Sequence, residues 1–237
     1  REVEDAATPE EVVQNCRRVP GLARALLDCG AHPRLVTRLI SAVCNAATER
    51  LVRLAEQELG PPPAPYVFLA LGSQGRQEMT LSSDQDNAIV YDAPDESVRA
   101  QAEEYLPALG RFVCTWLDRA GYPLCRGEVM AQNPRWCQPL SVWKRYFTEW
   151  IERAEPQQLL EFAIFFDFHP VSGDPEIARE LRRHLFAQAS SHPAFYPHFA
   201  QNSLLFKPPT RLFGRYIGSA GEQTGQLDFK DVVMPIV

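Results

Sequence analysis

Two carboxylates and a glycine–serine pair stand close together in LGSQGRQEMTLSSDQDNAIVY, residues 71–91. Gly72-Ser73 leaves one apolar run, and Asp84-Gln85-Asp86 opens a second. Alternate residues of a strand project from the same face, so Asp84 and Asp86 point the same way. Carboxylates that close repel unless a cation sits between them. Mg2+, with Mn2+ as the alternative, takes oxygen ligands and bridges carboxylates to phosphates. Gly72 lets the backbone turn tightly, and Ser73 with nearby backbone N–H groups can hold a phosphate oxygen. Arg76 can neutralise a triphosphate. This set suits metal-assisted nucleotidyl transfer. The competing reading is an ordinary turn, since Ser-Asp-Gln-Asp-Asn is also turn composition.

These residues need elements to hold them. Tyr66–Leu71 reads as a buried strand and Asn87–Tyr91 as a second. Upstream, Thr8-Pro9-Glu10-Glu11 starts a helix with a capping box. That helix is expected to fail near Pro20-Gly21 and resume to Cys29. A longer one runs over 34–59 with Leu35, Leu39, Val43, Ala46, Val52 and Leu59 at roughly helical spacing. The proline run 61–65 reads as a stiff linker. Downstream, 95–120 is a long amphipathic helix with Val98, Tyr105, Leu109, Phe112 and Trp116 inward. Leu124–Ala131 is the third strand candidate, helices follow over 139–153 and 156–161, and Phe165–Phe168 is a fourth strand candidate. Asp174-Pro175 caps a helix to about Ala189, and the remainder reads as helical with proline breaks. The expected class is α+β: a small mixed sheet in an αβ core over 66–190, flanked by helical regions at 1–60 and 191–237.

Bulk properties narrow the partners. The chain has 237 residues, 45% hydrophobic and 23% charged, enough for a real core. A net charge of -6 argues against a broad nucleic-acid surface and against a polybasic membrane contact. No apolar run is long enough to span a bilayer. The six cysteines form no Cys-x-x-Cys pair and the five histidines are scattered, which disfavours zinc and fits a reduced cytoplasmic protein with buried thiols. The start at Arg1 and the apolar end DVVMPIV read as cut ends of a longer protein.

The segment 72–91 resembles the signature of the nucleotidyltransferase superfamily that includes DNA polymerase beta. Within that superfamily it more closely resembles nucleotidyltransferases found beside CBS and cyclic-nucleotide-binding domains in bacterial signalling proteins, which are similar to the uridylyltransferase of the nitrogen-regulatory PII protein. Gly127, Val129-Met130-Ala131, Asn133-Pro134, Trp143 and Trp150-Ile151 match the next block of that pattern. Phe165-Phe166-Asp167-Phe168 and Gly173-Asp174 match the one after, and Leu227-Asp228-Phe229-Lys230 with Pro235-Ile236-Val237 match its C-terminal helical domain. The resemblance implies nucleotide phosphates at Gly72 and Ser73, metal at Asp84 and Asp86, an NTP substrate, a protein acceptor and regulatory domains upstream.

Active members add a third carboxylate that helps deprotonate the attacking hydroxyl. Glu128 and Asp167 are the candidates; the structural reading of Asp167 is a helix cap or a salt-bridged acid. Glu78 is placed to orient Arg76 by an ion pair. Lys144 and Arg145 can reach a triphosphate or form the wet face of a helix. His169 reads as half-buried, and Trp143, Phe147 and Trp150 as core. Two functions follow: transfer of a nucleoside monophosphate from an NTP to a hydroxyl in bacterial signal transduction, or a nucleotide-sensing module without turnover. A homodimer through the helical flanks is a third reading.

Overall fold

Thr8 accepts from the Glu11 N–H while the Glu11 carboxylate accepts from the Ala7 N–H. This reciprocal cap opens α1 (Pro9–Cys16). The next break falls at Arg17-Arg18, not at Pro20-Gly21, because α2 (Val19–Asp28) takes Pro20 into its first turn. There a missing N–H costs nothing. Gly30, at φ +80°, ends the segment. The computed structural model describes residues 1–153, 163–197, 199–200, 210–212, 215–217 and 223–224. The chain divides into two compact units, Arg1–Arg145 with Ile164–His184, and Tyr146–Ala163 with Leu185–Val237.

In the first unit, α3 (Pro33–Leu59) buries Val36, Ile40, Cys44, Ala47, Leu51 and Ala55. Val52 is buried as expected, but over the first half of the helix the buried stripe lies one residue later than expected, and Leu35 is 57% exposed. Small side chains at 44, 47 and 55 share the buried face, and a hydrophobicity pattern weights them less than the exposed leucine. In α5 (Glu96–Arg119), capped by Asp95, the expected inward position Leu109 is buried. Leu106, Leu109, Val113 and Leu117 are buried there, while Val98, Tyr105, Phe112 and Trp116 are only partly covered.

The sheet has the order β3-β2-β1-β4. β1 (Tyr66–Ala70) and β2 (Asn87–Tyr91) are antiparallel, from Tyr66 opposite Tyr91 to Ala70 opposite Asn87. Every residue of both is buried, as expected for an inner pair covered on both faces. β3 (Cys137–Pro139) lies parallel to β2, and β4 (His169–Gly173) runs antiparallel to β1 with a slip between Phe68 and Leu69. Helices α1–α3 and α5 share one core with Tyr66, Phe68, Ile89 and Tyr91. The proline run 61–65 is therefore a turn inside one core: Tyr66 donates to Glu56, Tyr105 donates to the Gly60 carbonyl, and the Asp92 N–H donates to Pro65.

The α+β class expected from the sequence is the one observed, but two strands are displaced. Leu124–Ala131 is a loop, tied to the sheet by a bridge between Leu124 and Gln85 and by hydrogen bonds from Asn87 to Val129 and from Ala131 to Asn87. Glu128 adopts φ +55°, which no strand accommodates. Phe165–Phe168 is not a strand: 163–165 form a 3-10 turn, and the strand begins at His169. Trp143 of α6 (Leu140–Arg153) donates its indole N–H to the Ile89 carbonyl and packs with Trp136 and Phe165. Asp174 caps α7 (Pro175–Ser191) by accepting from the Glu176 N–H.

In the second unit, Tyr146 and Phe147 both pack on Trp150. Phe147 and Trp150 are buried, in keeping with their reading as core. Within the stretch read as a C-terminal helical region, β5 (Thr210–Leu212), β6 (Arg215–Ile217) and β7 (Gln223–Thr224) form an antiparallel meander. The helix expected at 156–161 and the matching block at 227–237 lie outside the described residues.

Candidate active site

The Asp-Gln-Asp-Asn segment leads into β2 and is gripped from two sides. On one side the Leu71 N–H donates to the Asp86 carbonyl, extending the β1–β2 pairing. On the other, Gln85 donates its N–H to the Pro123 carbonyl and Asn87 to the Val129 carbonyl. The segment is therefore extended, and its side chains alternate. Gln85 and Asn87 turn inward, where Gln85 donates to the carbonyls of Cys114 and Tyr122. Asn87 donates to Gln85 and accepts from the Ala131 N–H. Gly110 of α5 allows this loop to come so close, since a Cβ there would lie 2.5 Å from the Ala131 oxygen. This buried polar network is not among the expectations drawn from the sequence. Its signal is two amides interleaved with two acids at strand spacing.

Asp84 and Asp86 take the other face. Asp86 is 8% exposed and Asp84 half-buried. Their carboxylates and the Cys125 Sγ all lie within 4.8 Å of one another. Cys125 sits in the loop that leaves the sheet after Pro123 and rejoins it at Val129. Burial first, then the Asp86 charge and a hydrogen bond to Asp86, push its thiol up to about 11. It is therefore a protonated donor to that carboxylate.

Gly72 begins a short helical turn, α4 (Gly72–Gly75), directly after β1, at φ +50°. A Cβ on it would lie 3.3 Å from the Asp86 Oδ2, so the turn and the acid pair adjoin. Ser73, half-buried, is next in the turn. Helix geometry leaves the first N–H groups of such a turn without partners inside it. Gly75 has a separate duty: a Cβ there would lie 1.9 Å from the Asp167 carbonyl oxygen. Arg76 follows, its side chain 19% exposed, bonded to Glu78 at 3.2 Å and to Asp167 at 3.0 Å. The Glu78–Arg76 pair expected from the sequence is thus present, and Asp167 joins it.

The other candidates are not among the three grouped residues. Glu128 is exposed and lines a shallow cleft with Arg111, Met130 and Asn133. Lys144 pairs with Glu180 of α7, which holds the Glu180 carboxyl below its ordinary range. His169 opposes Ala70 in the sheet, and burial, then the Arg182 charge, lower its pKa.

Two adjacent carboxylates fit a hard, oxygen-seeking divalent ion such as Mg2+ or Mn2+. The Cys125 sulfur lies within the same 4.8 Å group. Among the described residues this is the one cluster of three such groups.

Residues 17–157, more than half of the chain, match the family described as "Putative nucleotidyltransferase DUF294". The chain belongs to this family. The matched stretch carries both the glycine–serine turn and the acid pair. Among curated proteins, the chain is similar to the bifunctional glutamine synthetase adenylyltransferase/adenylyl-removing enzyme of Bifidobacterium longum strain NCC 2705. The two are 28% identical over 162 residues, 61% of this chain and 14% of the relative. The enzyme of the same name in Mycobacterium marinum is 27% identical over 164 residues, 66% of this chain and 16% of the relative. The chain therefore spans about a seventh of the length of the curated relatives it matches. No helix of the described residues is long and apolar enough to cross a membrane.

Proposed function

We propose that this chain moves a nucleoside monophosphate from an NTP to a hydroxyl, with Asp84 and Asp86 holding the divalent ion. The observation that carries the reading is the adjacency of Gly72 to the Asp86 carboxylate, at the head of a turn that also bears Arg76. Gly72 and Ser73 would hold the phosphates through backbone N–H groups, and Arg76 would neutralise their charge. A bound Mg2+ or Mn2+ would supply Lewis-acid stabilisation of the triphosphate and of the departing pyrophosphate. The acceptor oxygen forms a bond to the α-phosphorus as the bond from that phosphorus to the bridging oxygen breaks.

Asp167 is the better candidate for taking the hydroxyl proton. Its backbone packs on Gly75 and its carboxylate reaches Arg76, whereas Glu128 lies on an exposed loop. In this reading Arg76 turns to the triphosphate when nucleotide binds, which releases the Asp167 carboxylate. Lys144 has a lesser part, since Glu180 already engages it.

The acceptor we propose is a protein hydroxyl in bacterial signalling, with CBS or cyclic-nucleotide-binding domains elsewhere in the full-length protein. The names of the adenylyltransferase relatives favour ATP as donor over the UTP that the likeness to PII uridylyltransferase implies. Incubation of candidate partners with Mg2+ and each NTP, read by intact-mass spectrometry, tests this. A nucleoside-monophosphate adduct that requires Asp84 and Asp86 supports transfer. NTP binding without any adduct would leave only the sensing role.

A further inference from the structure

Cys125 lies beside the acid pair, and the nucleotidyl-transfer reading leaves it unused. Its Sγ is one of three donor atoms that sit within 4.8 Å of one another, with one oxygen from each of Asp84 and Asp86. We propose that this group also takes a thiophilic divalent cation of the Zn2+ or Co2+ class, with Cys125 as third donor, at the expense of Mg2+. The inference rests on the same Asp84–Asp86 metal site and adds a competing ligand for it.

The chemistry follows from the donors. Carboxylate and water ligands suit Mg2+, whereas a thiolate favours softer ions. Mg2+ gains little from sulfur, so Cys125 adds little to its binding. With a softer ion the Cys125 S–H bond breaks, the proton passes to solvent and a sulfur–metal bond forms, with no change of oxidation state. The loop is built to hold the sulfur in place. Its two ends are fixed to the acid segment through Pro123–Gln85 and Val129–Asn87. The Glu128 N–H also closes a turn onto the Cys125 carbonyl. The bulge between those anchors carries the Cys125 sulfur to within 4.8 Å of the Asp84 and Asp86 carboxylates. A sulfur positioned this way would hold the ion tightly and keep the pair from the Mg2+ that transfer needs.

Co2+ titration of the reduced chain tests this by optical absorption, independently of turnover. The expected result is a sulfur-to-cobalt charge-transfer band that saturates near one equivalent and is suppressed by excess Mg2+. Cys125→Ser should abolish the band and weaken Co2+ binding by about tenfold or more. Cys29→Ser, at the exposed cysteine, should keep it. X-ray absorption of the unaltered chain with one equivalent of Zn2+ gives the same answer without a variant: one sulfur neighbour near ~2.3 Å is expected. No band, a band that survives Cys125→Ser, or zinc bound by oxygen and nitrogen alone would overturn the proposal. If the band is absent while Asp86→Asn still loses Mg2+-dependent NTP binding, only this inference fails. If Asp86→Asn leaves NTP binding intact, the underlying site reading fails.

Discussion

The Asp167 carboxylate lies 3.0 Å from the Arg76 guanidinium, and the Asp167 backbone oxygen fills the space where Gly75 has no side chain. One residue thus contacts the Gly72–Arg76 segment twice, through main chain and side chain. If Asp167 receives the acceptor proton, Asp167→Asn should lower the transfer rate by about 100-fold or more, the usual effect of losing a general base. Divalent-metal affinity should stay unchanged. Glu128→Gln should stay within about threefold of the parent, on the same scale. Single-turnover kinetics with parallel metal titrations separate the two residues.

Gly75 is predicted to tolerate no side chain. Gly75→Ala would force a methyl group to 1.9 Å from the Asp167 oxygen, so the turn must move away from 167. The expected cost is about 1–3 kcal/mol or more, with NTP affinity lost alongside. Gly21→Ala is the control: nothing lies within 4 Å of its Cβ position in α2, and the helix gains up to about 1 kcal/mol. Denaturant melts of both variants check this.

Asn87 supports the acid pair from behind. Asn87→Ala removes the acceptor of the Ala131 N–H and leaves Gln85 without its Asn87 donor, both in the buried interior. A loss of about 1–3 kcal/mol is expected from the orphaned groups. Metal affinity should fall with it, because the neighbouring backbone sets the direction of Asp86. Denaturation paired with metal titration would contradict this if stability dropped and metal binding did not.

Much of this site is legible in the amino-acid sequence. The bounds of β2, the i, i+2 spacing of Asp84 and Asp86, and the Arg76–Glu78 pair all follow from local rules. Those rules act over a few residues, where sequence order and spatial order agree. The features that local rules do not reach depend on distant chain segments. Cys125 gains its place from two backbone anchors made by the neighbours of Asp84 and Asp86, and nothing in Leu-Cys-Arg announces them. β3 has three residues, too few for a period-2 signal, so Leu124–Ala131 is the more strand-like stretch. The one-residue shift over the first half of α3 has a related origin. Cys44 and Ala47 share the buried face there, and such small residues weigh little in a hydrophobicity pattern.

His169 gives a pH dependence with a definite sign. Burial, reinforced by the Arg182 charge, depresses its folded pKa below its ordinary value. The unfolded chain then binds the proton more readily than the folded one. The contribution to stability is complete above about pH 6.5 and is lost as pH falls through that range toward the lower folded pKa. His169→Gln should flatten this acid-side slope between about pH 5 and 7, as read from melting curves. An unchanged slope would mean that other groups set it.

The most direct test of the Asp84–Asp86 site is isothermal titration of ATP into the chain with and without Mg2+, for the parent, Asp84→Asn and Asp86→Asn. Mg2+-dependent binding is predicted in the parent and lost in both variants while their melting temperatures hold. Unchanged Mg2+-dependent affinity in Asp86→Asn would place the nucleotide site elsewhere.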